Sequence, residues 1–198
     1  MVNIIDVAIA TEDELSEAVV QRLLLHFGEK FSSSLLLRRN GFGYLKSNIQ
    51  KFIELSYSTP VILVTDLDRK ACPLVLKEEW LGTKEFPAEF LFCIAVREIE
   101  AWLLSDAIGV GQFLGLRNQI AIRQPEAILD PKKHLLELAK KGSRDAKEAL
   151  LPEKGSSAVQ GLGYNNFLKT FVNGNWSVER ASANSPSLQR AINKLAAL

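Results

Sequence analysis

Residues 61 to 68 read VILVTDLD. The first four are continuously apolar and mostly β-branched, the pattern of a strand buried on both faces. Pro60 begins the run, and Asp66 and Asp68 flank Leu67 where the strand should surface. In extended chain two residues so spaced point to the same side. At a strand's carboxyl end they present hard oxygen ligands to Mg²⁺ or Mn²⁺, whose shells mix carboxylate, water and phosphate oxygens. The competing reading is an Asp-rich turn, because aspartate side chains stabilise loops unaided.

The segments to either side repeat the same alternation. IIDVAIA, residues 4 to 10, reads as a largely buried first strand in which Asp6 is out of place. TEDE then starts a helix: Thr11 is the expected cap, Glu14 stands three residues later, and acids suit the positive end of the helix. Leu15, Ala18, Val19 and Leu23 continue one apolar face. A short second strand is expected at 34 to 38, broken by GFGY, with a helix over about 45 to 56 behind it. A helix over 74 to 81 and a strand near 90 to 96 follow, and REIEAWLLSD then reads as helical. Strands alternating with helices predict an α/β fold with a mainly parallel sheet flanked by helices, in which ligands gather outside the carboxyl ends of the strands. Glu12 leaves the first strand as Asp66 and Asp68 leave theirs. Neighbouring strand ends would bring the three carboxylates around one or two cations, and without a cation their repulsion raises proton affinity.

Arg97, Glu98 and Glu100 are the next candidates. On a helix Glu98, Trp102 and Asp106 share a stripe, while Glu100 points elsewhere and meets Arg97 three residues back. Trp102, Leu103 and Leu104 read as the apolar residues that seat that helix against the sheet. Beyond residue 106 the alternation stops. Helices are expected around 108 to 115, 124 to 128, 131 to 141 and 143 to 150, and over YNNFLKTFV and SPSLQRAINKLAAL, where Ser185 or Ser187 is a suitable cap. The division this predicts is an α/β core over 1–106 and a helical C-terminal extension over 107–198 packed on it.

Composition bounds the rest. The 198 residues are 47% apolar and 24% charged with a formal charge of +1, as in a globular protein with no global field to gather nucleic acid. Any nucleic-acid role must rest on a local site. Two cysteines, Cys72 and Cys93, form no CxxC and are expected to be reduced. The opening MVNIIDVAIATEDE lacks the basic start of a signal peptide, and no apolar stretch approaches the roughly 18 residues of a transmembrane helix, so no membrane association and a cytoplasmic location are expected. His26 and His134 have no acid or nucleophile motif beside them. GFGY and GLGY match no Walker phosphate loop.

IIDVAIATEDELSEAVVQRLL, VILVTDLDRKAC, CIAVREIEAWLLSD, YNNFL and SPSLQRAI together resemble the bacterial family DUF4276 over almost the whole chain. That family is similar, over roughly the first half, to the Toprim-like domains of overcoming-lysogenization-defect nucleases and of phage-defence proteins. The resemblance implies a Toprim-like core in which a glutamate after the first strand and a DxD after a later one organise divalent metal for phosphodiester cleavage or nucleotidyl transfer. Glu12, Asp66 and Asp68 occupy those places. It also favours Glu100, in the Glu-x-Trp of Glu100, Ala101 and Trp102, as a catalytic residue, where helix geometry leaves Glu98 equally open. One departure stands out: Toprim proteins commonly carry Glu-Gly at the first motif, and this chain has Glu12-Asp13. Asp13 adds a negative charge and removes glycine's freedom to bring backbone close to a phosphate.

The function expected on this basis is cleavage of nucleic acid by a Mg²⁺- or Mn²⁺-dependent nuclease, a hydrolase. Asp66 and Asp68 would be ligands, and Glu12 a ligand or the general base. Arg38, Arg39, Arg69, Lys70 and Arg97 would meet the phosphodiester. Lys46, Lys132, Lys133, Lys140 and Lys141 read as solvated surface groups or an enlarged binding surface. The alternatives are a non-catalytic nucleic-acid or nucleotide-binding module and a protein-interaction component of a phage-defence system, with a defence protein or a second copy of the chain as partner.

Overall fold

The computed structural model describes residues 4–38, 43–83 and 85–198. In chain order the first elements are Ile5–Thr11 (β1), Glu14–His26 (α1), Phe31–Arg38 (β2), Tyr44–Ser47 (α2), Ile49–Ser56 (α3), Val61–Asp66 (β3), Pro73–Leu81 (α4) and Phe90–Ala95 (β4). Ile99–Leu104 (α5), Ala107–Phe113 (α6), Pro131–Ala139 (α7), Arg144–Leu150 (α8), Tyr164–Gly174 (α9) and Val178–Ser182 (α10) follow, and Pro186–Ala196 (α11) closes the chain. Two compact units emerge: residues 1–96 with 187–198, and residues 97–186. The boundary read from the sequence at 106 is therefore moved: Arg97 to Asp106 group with the second unit, and the last helix from Ser187 onward groups with the first.

The first unit is a mixed α/β fold. Its four strands are all parallel, in the order β2-β1-β3-β4, with helices flanking the sheet. Ala8, Ala10, Leu63, Phe90 and Phe92 pack with Phe52 and Ile53 of α3 and Leu76 and Leu81 of α4 in one buried cluster. The alternate residues Val7, Ile9, Ile62, Val64 and Leu91 are buried as well, and strand geometry sends them to the opposite face. Burial on both faces explains why β3 and β4 read as unbroken apolar runs. Each large side chain removed from water in this way contributes about 1.5–3 kcal/mol.

Several local details differ from the sequence reading. The first helix is capped by Asp13, whose Oδ1 accepts the Ser16 amide at 2.8 Å, and Thr11 remains in the strand. A longer strand β2 begins at Phe31, so the serines are part of it. Its pairing with β1 shifts register between Val7 and Ala8, leaving Ser34 without an opposite residue. Asp6 accounts for this bulge: Oδ1 accepts the Ser32 hydroxyl at 2.7 Å and the Ser34 amide at 3.1 Å, and Oδ2 accepts the Ser34 hydroxyl. Those bonds hold its carboxyl below the usual range. In the GFGY break, Gly43 precedes α2 with φ 82°, a conformation that favours glycine.

The second unit is helical apart from its connecting segments. Its interior is built on Trp102, Leu103 and Leu104, all fully buried as their spacing predicts, together with Trp176, Tyr164 and Phe171. No helix among the described residues is long and apolar enough to cross a membrane.

Candidate active-site rim

From β1 the chain passes through α1 to β2 on one side, then returns to place β3 on the other side of β1. The order of strands thus reverses between β1 and β3, and in open α/β sheets that reversal opens a crevice at the carboxyl ends of the two strands. Glu12 follows the last residue of β1, and Asp66 is the last residue of β3. Because the strands are parallel neighbours, paired from Ala8 with Val61 to Ala10 with Leu63, both leave the sheet at the same rim.

Thr65, buried within β3, ties the two strand ends together by donating from Oγ1 to Glu12 Oε1 at 3.2 Å. Sequence reasoning passed over it, although a hydroxyl inside an otherwise apolar run was the available signal. Two residues on from Asp66, Asp68 is exposed and has φ 52°. That left-handed conformation costs a non-glycine residue about 1–2 kcal/mol. Asp68 forms no salt bridge among the described residues. Its charge reaches Glu12 nonetheless. Glu12 is exposed as a residue, yet surrounding protein strips water from its carboxyl, and this desolvation is the largest cause of a pKa raised above the ordinary value. The Thr65 hydrogen bond opposes the rise, and the charges of Asp68 and Asp13 add to it.

The Glu-Asp departure has a structural reason. Asp13 has φ −137° and ψ 175°, extended backbone that needs no glycine, and its carboxylate is directed at the first turn of α1. It serves its own helix as a cap, worth about 1 kcal/mol. Among the described residues no group of three or more His, Cys, Asp or Glu side chains is gathered closely enough to hold a metal ion. The rim collects three carboxylates at one edge of the sheet without drawing them into a single coordination shell.

The expected cations divide. Arg38 donates from Nε to Glu17 at 3.1 Å and from Nη1 to Glu14 at 3.3 Å, so two carboxylates of α1 already hold it. Lys70 and Lys46 share Glu79, lowering its pKa to about 2. Arg69 is exposed and no described carboxylate pairs with it. Arg39 lies outside the described residues. Arg97 has φ 70°, and its Nε is buried with no hydrogen-bond partner among the described residues.

The helix expected through REIEAWLLSD begins only at Ile99, which places Arg97 before it and removes the expected three-residue contact with Glu100. Glu100 is buried in the second unit, where Oε1 accepts the Tyr164 hydroxyl at 2.7 Å and lies 3.5 Å from Lys132 Nζ. The Lys132 ammonium also sits 5.2 Å from the centroid of the Tyr164 ring, so this lysine is engaged within the second unit and is not simply a solvated surface group. Glu98 Oε2 accepts the Lys132 amide at 3.0 Å, and desolvation by burial raises its pKa. Cys93 is a buried free thiol pushed up to about 11 by burial. His26 is exposed at the end of α1.

Comparison with protein families, with curated proteins and with solved structures finds no match.

Proposed function

We propose that the rim between β1 and β3 supports divalent-cation-dependent phosphoryl chemistry on nucleic acid, as a Toprim-like nuclease. The observation that carries this reading is the coincidence of the sheet's order reversal with Glu12, Asp66 and Asp68 at one rim. The resemblance of the surrounding segments to DUF4276 points the same way. The donor set suits Mg²⁺ or Mn²⁺, both of which prefer carboxylate oxygens, with Asp66 and Asp68 as the holding residues. Such an ion supplies neutralisation of phosphate charge and orientation of an attacking water.

The chain's own residues supply the rest. Glu12, its pKa raised by desolvation, accepts a proton from water more readily than an ordinary glutamate, which suits a general base. Thr65 holds that carboxylate in place. Arg69, exposed and with no carboxylate partner among the described residues, meets a phosphate oxygen. Cleavage of single- and double-stranded DNA and RNA under added Mg²⁺ or Mn²⁺ tests the reading. Asp66→Ala and Asp68→Ala are expected to reduce turnover to background, and Glu12→Gln to reduce it about a hundredfold. Equal turnover by wild type and both aspartate variants overturns the proposal.

A second reading, a non-catalytic nucleic-acid or nucleotide-binding module, is favoured by the rim carboxylates not being gathered into one metal-holding group among the described residues. Binding of an oligonucleotide without cleavage in the same experiment supports it.

A further inference from the structure

Strand β4 ends the sheet on the side away from β2, and the last helix runs beside it. Ser187 Oγ accepts the Val96 amide at 3.3 Å, and the Lys194 ammonium donates to the Phe92 carbonyl. Between that helix and α4 lie two cavities, both formed wholly within the first unit. One, of about 130 Å³, is lined by Leu74, Lys77, Phe92, Ile94, Arg190 and Lys194 among others. The other, of about 280 Å³, continues past Phe86, Pro87 and Phe90 and shares Lys77, Phe92 and Lys194 with the first. Together they follow the strand from Phe90 to Ile94, which is about 13 Å of extended chain.

The groove has an apolar floor and basic walls. Phe90 and Phe92 stack at 6.2 Å between ring centroids along its length, and Leu74, 75% exposed, stands at its rim. The Lys77 ammonium lies 5.3 Å from the centroid of the Phe86 ring, and Arg190 is exposed with no carboxylate partner among the described residues. Among the described residues neither cavity is lined by an Asp or Glu, and the sequence has none from Ala181 to Leu198. Positive charge with no carboxylate in the lining, set over apolar carbon, is complementary to a ligand that combines carboxylates with an apolar side chain.

We infer that this groove docks an acidic segment of a partner protein, with one apolar side chain seated against Leu74 and flanking Asp or Glu residues on Lys77, Arg190 and Lys194. A peptide suits it better than a nucleic acid because the floor is apolar and concave, whereas nucleic-acid interfaces are polar, broad and strongly positive. The concavity also separates it from membrane-binding helices, which project their apolar face outward. Since Lys194 and Ser187 already occupy groups along the strand's free edge, side chains carry the recognition in place of an added strand. None of the rim carboxylates takes part, so the inference stands apart from the nuclease reading.

Phage-displayed random peptides selected on the full chain and depleted on a Lys77→Glu/Arg190→Glu double variant test this. Both substituted residues are exposed, and circular dichroism checks that the variant folds. The recovered peptides are expected to carry acids on both sides of a Leu, Ile, Phe or Trp. Synthetic copies, followed by fluorescence anisotropy, should bind at least about tenfold more weakly to the Arg190→Glu single variant, or when their acids are changed to amides. Binding should persist in Asp66→Ala. Failure to recover any peptide that distinguishes the wild type from the double variant overturns the inference. So does tighter Arg190-dependent binding of a single-stranded oligonucleotide or a phosphatidylserine vesicle.

Discussion

Asp106 in the second unit accepts the Gly109 amide at 3.0 Å and the Ser177 amide at 2.9 Å, and holds Arg180 through two bonds of 2.6 and 2.7 Å. Asp68 in the first unit is exposed, sits on left-handed backbone and adds its charge to that of Glu12. Both are aspartates just past the end of a regular element. One is saturated by its own chain, and the other forms no salt bridge among the described residues while its charge acts on Glu12. Glu100, under the Tyr164 hydroxyl and beside Lys132, belongs with Asp106. A carboxylate whose lone pairs are filled from within contributes to the fold. One held on strained backbone among other acids has its binding capacity left for something from outside.

The most forceful way to break that contrast is Asp106→Ala. It removes the α6 cap, the Ser177 acceptor and the partner of Arg180 together. Removing one member of a buried pair costs about 3–5 kcal/mol, and the solvent exposure of Arg180 places this case near 3 kcal/mol. Urea denaturation measures it, and a loss below about 0.5 kcal/mol would put Asp106 in the same class as Asp68.

Asp68→Gly sharpens the contrast from the other side. Glycine relieves the left-handed strain and removes the repulsion felt by Glu12, while adding entropy to the unfolded chain, for a net stabilisation of about 0.5 kcal/mol. The same protein should lose the cleavage activity proposed for the rim. A destabilised Asp68→Gly would show that the residue serves the fold after all.

The smallest effect expected is in the dependence of stability on pH. Glu12 has its folded pKa raised, so its ionised form is disfavoured by folding. It therefore subtracts stability above the folded pKa, and that cost fades as pH falls through it. Glu79 has the opposite sign: hydrogen bonds from Lys46 and Lys70 lower its pKa to about 2, so its contribution is present above the ordinary value of 4.5 and is lost as pH falls towards 2. Stability profiles of Glu12→Gln and Glu79→Gln, each subtracted from wild type, should slope in opposite directions. Parallel slopes would mean that Glu12 is not desolvated.

By itself the sequence determined the alternation of strand and helix, the burial of VILV and the emergence of Glu12, Asp66 and Asp68 at strand ends, because a buried parallel strand must be apolar on both faces and polar where it surfaces. The burial of Trp102 was equally legible, since its apolar area and spacing decide it locally, although it falls in the helical second unit and not in the unit that holds the sheet. Other features depended on residues far apart in the chain. The strand order set which ends adjoin, and thus made Thr65 a link to Glu12. Tyr164 and Lys132, many residues away, took the Glu100 carboxylate that helix spacing had assigned to Arg97. Asp13 displaced Thr11 as the cap once the strand had claimed Thr11 for its own hydrogen bonding. Local propensity is additive along a sequence, whereas the partner of a charge is chosen by which elements fold against it, and only the tertiary structure makes that choice.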